Sequence, residues 1–292
     1  MYPLRKLFTI ITLSLFLLLI GRNLTFLPKV PFIFTQSQNI ALSQLKANIQ
    51  QLTAKQKGHY SVLFVDLNNP KNTIGINEHT MLTGASVNKV PIIATLYYLA
   101  NKGNINLDQK VVLQKADIQD YGTGSLRYQK PGGVYSLKLL TKLTLQQSDN
   151  TAAHIIGHRL GTQTIQDIMR DFGLTQTNMA ANKTSLSDMA LLYEKIYNNE
   201  VTSPALTKEF LGFMSDTESE ERLPDQLPTT TTVYHKTGDG IGFVHDVGIV
   251  KDDKNAYFLG VMTSDIGDHE KETKQTIAQI SKDVYEYMEK QE

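Results

Sequence analysis

Strand-forming sequence in this chain falls in two groups separated by about half its length, and that separation constrains the fold more than any other feature. The first group is His59–Leu67, with Tyr60, Val62, Leu63, Phe64 and Val65, then a turn at Asn68–Asn72 and a second strand at Thr73–Ile76. The second group is Thr230–His235, Val244–Lys251 and Ala256–Thr263. Everything long between them carries helical spacing: Leu137–Gln147, Thr151–Leu160 closed by Gly161, Gln163–Phe172 closed by Gly173, Leu186–Tyr197 and Ser203–Met214. Helices also open and close the folded part, at Ile40–Leu52 and Glu270–Gln291. A lone hairpin is marginal in water. The two groups are therefore expected to join into one sheet, with the helical middle leaving it and returning as a second lobe. The expected class is α+β: a five-stranded antiparallel sheet flanked by helices, plus an all-helical lobe. Residues 104–135, with Gly122, Gly124, Gly132 and Gly133, are expected to be irregular.

The N-terminus stands apart from this pattern. Arg5 and Lys6 precede an apolar run, Leu7–Ile20, which Gly21 and Arg22 interrupt. The run fits a signal-peptide core or, extended through Leu27, a membrane anchor. No Ala-x-Ala site follows, so an uncleaved anchor over 1–27 is expected, basic end inside and the folded part outside. Residues 28–38 then form a stalk, and 39–292 one domain. The expected location is extracytoplasmic, at the cell surface or in the periplasm. The chain has no cysteine, which excludes disulfides, thiolate chemistry and a lipidated cysteine. A core of this size makes disulfides unnecessary. Formal net charge is zero, with 29 basic and 29 acidic residues, so nothing favours nucleic acid as a partner. A monomer is expected.

Chemistry concentrates first at Gly84-Ala85-Ser86-Val87-Asn88-Lys89, a turn that enters an apolar helix running to Ala100. Pro91 suits a first helical turn, where amide donors have no partner in the helix. Ser86 and Lys89, three apart, share a face. A lysine in a low-dielectric site can lose its proton and then take one from a serine, so the pair fits a nucleophile and its base. Alone the spacing is weak, because Ser43-Gln44-Leu45-Lys46 repeats it inside the first helix.

Two further short motifs follow. Ser148-Asp149-Asn150 opens a helix, and all three residue types are also ordinary N-caps. His235-Lys236-Thr237-Gly238-Asp239-Gly240 is expected to end a strand and enter a glycine turn. Ser-x-x-Lys, Ser-Asp-Asn and Lys-Thr-Gly, in that order and on those elements, resemble class A β-lactamases and penicillin-binding proteins. The resemblance spans roughly residues 40–290 and extends to the order of strands and helices. Arg222-Leu223-Pro224 and Leu227-Pro228 resemble the family's approach to its last strands, and Tyr121 falls where class A enzymes place an aromatic at the rim.

The resemblance implies roles. Ser86 attacks a carbonyl and is acylated. Lys89 is its base, or holds a water. Ser148 passes the proton to the leaving nitrogen. Asn150 holds Lys89 and the substrate's side-chain amide. Lys236 supplies positive charge, Thr237 binds the substrate carboxylate, Gly238 lines the substrate site, and the amides of Ser86 and Asp239 form the oxyanion hole. No cofactor is implied. The substrates are a β-lactam or a D-alanyl-D-alanine peptide.

Departures from the family pattern are equally informative. Class A enzymes deacylate with a Glu carried on a long loop after the middle helices, yet no acidic residue lies between Asp171 and Asp188 here. That loop is expected to be missing, and β-lactam hydrolysis to be slow. A carboxylate-binding Arg is also missing from Phe243-Val244-His245-Asp246, where His245 is expected to stand in, partly charged near pH about 6.5. The alternatives are a D-alanyl-D-alanine carboxypeptidase and a non-catalytic wall-binding module. His154 and His158 have the i,i+4 spacing of zinc ligands, but neither the intervening Glu of a metalloprotease nor a third ligand is evident, so no metal is expected. No Gly-x-Ser-x-Gly supports a Ser-His-Asp hydrolase. Glu218-Ser219-Glu220-Glu221 is expected to be a solvated acidic loop.

Overall fold

In the computed structural model, which describes residues 31–291, the early and late strands meet. His59–Asp66 (β1) and Thr73–Ile76 (β2) form the expected hairpin, and Thr232–Gly240 (β7), Phe243–Lys251 (β8) and Ala256–Ser264 (β9) complete a sheet ordered β2-β1-β9-β8-β7. Every pairing is antiparallel. The junction is β1 against β9, with Leu63 opposite Gly260 and Phe64 opposite Leu259. Both faces of β1 are covered, so its sequence is a nearly unbroken apolar run and does not alternate.

One face of the sheet takes the C-terminal helix Glu270–Glu289 (α8) and the other takes Leu186–Tyr197 (α6). Phe64 meets Tyr287 of α8 edge to face at 6.0 Å. Tyr193 of α6 packs on Phe258, the partner of Val65, and donates to Val247 O at 2.9 Å. Beyond α6 lies the helical lobe: Lys89–Asn101 (α2), Leu137–Gln146 (α3), Asn150–Leu160 (α4), Thr162–Asp171 (α5) and Pro204–Gly212 (α7). The lobe is built around α2. Val90, Ile93, Ala94, Leu96 and Tyr97 are all fully buried, as expected of a helix apolar on most sides.

Three boundaries differ from expectation. The first helix (α1) is Pro31–Ala54, so residues 31–38, expected as stalk, are helical in the structure. Residues 104–135 contain Lys110–Val112 (β4), which pairs with Val134–Ser136 (β5). β7 runs through the whole Lys236–Gly240 segment, which is paired with β8 where a strand end was expected. Backbone ladder bonds do not depend on side-chain hydrophobicity, so the polar residues there gave no sign of it. A further two-residue ladder, Leu82–Thr83 (β3) with Lys183–Thr184 (β6), ties the chain just before Ser86 to the connection after α5.

The chemistry-bearing unit is Gln44–Glu292. Leu45 and Ile49 of α1 are buried in it. The proposed anchor, 1–27, lies outside the described residues; among those that are described, no helix is long and apolar enough to cross a membrane.

Candidate active site

Ser86 sits in a one-turn 3-10 helix, Ala85–Asn88, that leads into α2. Ala85 has φ +45°, a left-handed value uncommon for a residue with a Cβ, immediately before the candidate nucleophile. Asn182, itself at φ +49°, holds this turn: its carbonyl accepts from Gly84 N at 2.8 Å and its side-chain oxygen from Asn88 Nδ2 at 2.7 Å.

Lys89 is 7% exposed. Its Nζ bonds to Asn150 Oδ1 at 2.7 Å, to Ser148 Oγ at 3.1 Å and to the Ser148 carbonyl. Burial, with the charge of Lys236 added, brings Lys89 down to about 6, against the opposing pull of Asp149. At neutral pH the amine is therefore largely unprotonated, as a base must be.

Ser148-Asp149-Asn150 divides its labour. Asp149 is the N-cap of α4: it accepts from Ala152 N at 2.9 Å and from Leu126 N at 2.8 Å, and is fully buried. Its neighbours serve the site. Ser148, at φ +53°, and Asn150 both turn their side chains to Lys89. Segment 119–125 is pinned to them through Asn150 Nδ2 on Tyr121 O at 3.1 Å and Thr123 Oγ1 on Ser148 O at 2.8 Å.

Ser86, Lys89, Tyr121, Ser148, Asn150, Thr237 and Asp239 line one cavity of about 920 Å³. Lys236, fully buried beside them on β7, bonds to Thr237 O at 3.1 Å. Burial lowers it to about 8, with Asp246 opposing and Arg222 reinforcing the shift. Gly238 lets β7 approach the nucleophile turn: a Cβ there would lie 3.0 Å from Gly84 O.

His245 departs from expectation. It is fully buried, does not line the cavity, and has both ring nitrogens engaged, Nε2 by Thr83 O at 2.8 Å and Nδ1 by Thr263 N at 3.1 Å. Burial pulls it down to about 4, so it is neutral near pH 7 and cannot replace an arginine. The cation near this strand is Arg222, 1% exposed, which grips the Asp239 carboxylate at 2.7 and 2.9 Å and donates to His245 O at 2.7 Å. Sequence reasoning placed Arg222 only in an approach segment; a charge in a loop carries no signal that carbonyl and carboxylate will converge on it.

The acidic loop is also more than solvated surface. Glu218 lines the cavity, Glu220 bonds to His235 at 3.2 Å, and Glu221 pairs with Lys274 at 2.9 Å. Burial alone would lower His235, but Asp246 and Glu220 outweigh it and raise the imidazole to about 9. His154 and His158 line the cavity with rings stacked 5.9 Å apart, and no cluster of three metal-ligating side chains exists among the described residues.

A family model described as "Beta-lactamase enzyme family" matches residues 44–288. The β-lactamase VEB-1 of Pseudomonas aeruginosa is 24% identical over 247 residues, which span 75% of this chain and 82% of that one. Among solved structures, PBP-A superposes with a TM-score of 0.78 at 28% identity, covering 85% of this chain and 96% of PBP-A. A variant of PBP-A, solved as an acyl-enzyme complex with penicillin G, matches with a TM-score of 0.78 at 27% identity over 85% of this chain and 97% of that one.

Proposed function

The chain belongs to the β-lactamase enzyme family, and from that we infer that Ser86 is the nucleophile of a serine hydrolase acylated by β-lactams. The observation that carries the reading is the state of Lys89. It is a buried amine lowered to about 6, one helical turn from Ser86, held by Ser148 and Asn150. Lys89 takes the proton of Ser86 Oγ as the oxygen attacks the lactam carbonyl. The amides of Ser86 and Asp239 stabilise the developing oxyanion, each such donor contributing about 3–4 kcal/mol. Ser148, 3.1 Å from Lys89 Nζ, hands a proton to the leaving nitrogen. Lys236 and Thr237 receive the substrate carboxylate. Arg222 is committed to Asp239, and therefore fixes the residue whose amide is in the oxyanion hole.

The resulting ester is expected to persist. The connection after α5 closes in a tight bridge, Asn178 with Lys183, and carries no carboxylate between Asp171 and Asp188. This favours slow β-lactam hydrolysis, and it supports a second reading, a D-alanyl-D-alanine carboxypeptidase acting on wall stem peptides. In that case the leaving amino acid diffuses away and water enters the vacated space. An anchor at 1–27, with the enzyme outside the membrane as a monomer, fits either substrate. Intact mass after incubation with penicillin tests the acylation step. A stoichiometric adduct lost in Ser86→Ala supports it, and an adduct retained in that variant overturns it.

A further inference from the structure

Hydrolysis of the Ser86 ester needs a base that can hold a water, and the cavity offers few. Its titratable side chains are Lys89, Tyr121, His154, His158, Glu218 and Asp239. The Asp239 carboxylate is taken by Arg222. Glu218 donates its amide to Gln146 O, beside Ser148, which places it on the side where the leaving nitrogen departs. Lys89 already serves Ser148 and Asn150.

Tyr121 belongs to the 119–125 segment pinned to Ser148 and Asn150 on that same side, and is 63% exposed. The histidines remain, and helix geometry separates them. Asn150, Ala153, His154, Gly157 and His158 all line the cavity from α4, facing Ser86, Lys89 and Ile92 of the nucleophile turn and α2. Asn150 touches Lys89 directly. His154 lies one turn further along the same face, about 6 Å of rise from Asn150, and His158 about 12 Å. Helical side chains lean toward the N-terminus, so the His154 ring leans over the turn that carries Asn150, while His158 leans only toward His154. Met179 and Asn182, from the short connection that carries no carboxylate, line the same cavity.

We propose that His154 is a catalytic residue of deacylation, holding and deprotonating the water that cleaves the Ser86 ester. The inference rests on the acylation reading above. The water oxygen attacks the acyl carbon while its proton passes to the imidazole. The ester C–O bond then breaks and the proton is returned to Ser86 Oγ. The products are a free acid and the original serine, with no other reactant.

The experiment follows a preformed penicillin adduct by intact mass in the full-length protein. His154→Ala should form the adduct at the wild-type rate, which also reports a folded site, and lose it about 10²-fold or more slowly. His154→Gln, which keeps a polar side chain but no base, should behave the same way. Added imidazole should speed decay in His154→Ala and leave the wild type unchanged. His158→Ala should stay within about threefold of wild type. Decay in His154→Ala within about threefold of wild type, or slow decay that imidazole does not rescue, overturns the proposal while leaving acylation intact. Absence of any adduct on wild-type Ser86 refutes the acylation reading, and this one with it.

Discussion

Acylation of Ser86 should follow a bell-shaped pH profile whose two limbs belong to two lysines. Lys89 must be neutral to accept the serine proton, and it is lowered to about 6. About one molecule in eleven has the free amine at pH 5 and about ten in eleven at pH 7, so the second-order acylation constant should rise about tenfold across that interval. Lys236 must stay charged to receive a carboxylate, and it is lowered to about 8, which sets the descending limb. Lys236→Ala is the informative perturbation, because its charge is the second cause, after burial, of the low Lys89 value. Removing it should abolish the descending limb and move the ascending limb to higher pH. The assay is stopped-flow acylation by a chromogenic β-lactam from about pH 4.5 to 9.5, analysed as kcat/KM so that the limbs report the free enzyme. A profile flat between pH 5 and 7, or an ascending limb that stays in place in Lys236→Ala, would refute Lys89 as the base.

Other outcomes follow from the same geometry. Labelling by a fluorescent penicillin should vanish in Ser86→Ala and survive in Ser43→Ala, since Ser86 lines the cavity beside Lys89 and Ser148. Mixing with a chromogenic penicillin should give a stoichiometric burst and then a weak steady state; sustained turnover of many cycles per second without a trapped adduct would exclude slow deacylation. Fully buried His235 is held up to about 9, against about 6.5 unfolded, so folding favours its charged form. The stability it contributes should be fully present below pH about 6.5 and lost as pH rises through about 9, a fall of about 3 kcal/mol, and urea unfolding of wild type against His235→Gln measures it. Asp239→Ala removes the bidentate partner of the buried Arg222 guanidinium, which keeps the His245 carbonyl and Glu221; with Asp239 itself half exposed, urea unfolding should show a loss of about 1–2 kcal/mol.

How much of this was legible depends on whether a residue's role is local. β1, β2, α2, α4 and α6 are within a residue or two of expectation because periodicity of apolar side chains is a local signal. Ser86, Lys89, Ser148 and Asn150 were legible because spacing and order survive in one dimension, and the structure adds that Asp149 is a cap while its neighbours turn inward. His245 was misplaced because polarity at a strand position does not say which face it occupies; its carbonyl-lined burial is decided by Thr83, 162 residues away in sequence. Arg222 and Glu218 were read only as an approach segment and a solvated loop, since a loop charge does not show in sequence whether it will be buried, as Arg222 is, or stand exposed at a cavity wall, as Glu218 does.

The junction of β1 with β9 governs when the protein can become active. Leu63 must find Gly260, and Lys236 arrives only with β7, so the sheet pairs the beginning of the domain with its end. Such non-local pairing is slow because a long loop must close before any contact rewards it. The helical lobe, complete in sequence by Gly212, can condense first. During synthesis the β1–β2 hairpin therefore waits, with one edge of β1 unpaired, until the last strands emerge. A chain shortened before Ser264 keeps Ser86, Lys89, Ser148 and Asn150 but leaves part of that edge exposed, a hazard for aggregation. The nucleophile is thus present long before it is armed, and completion of the chain itself acts as the timer.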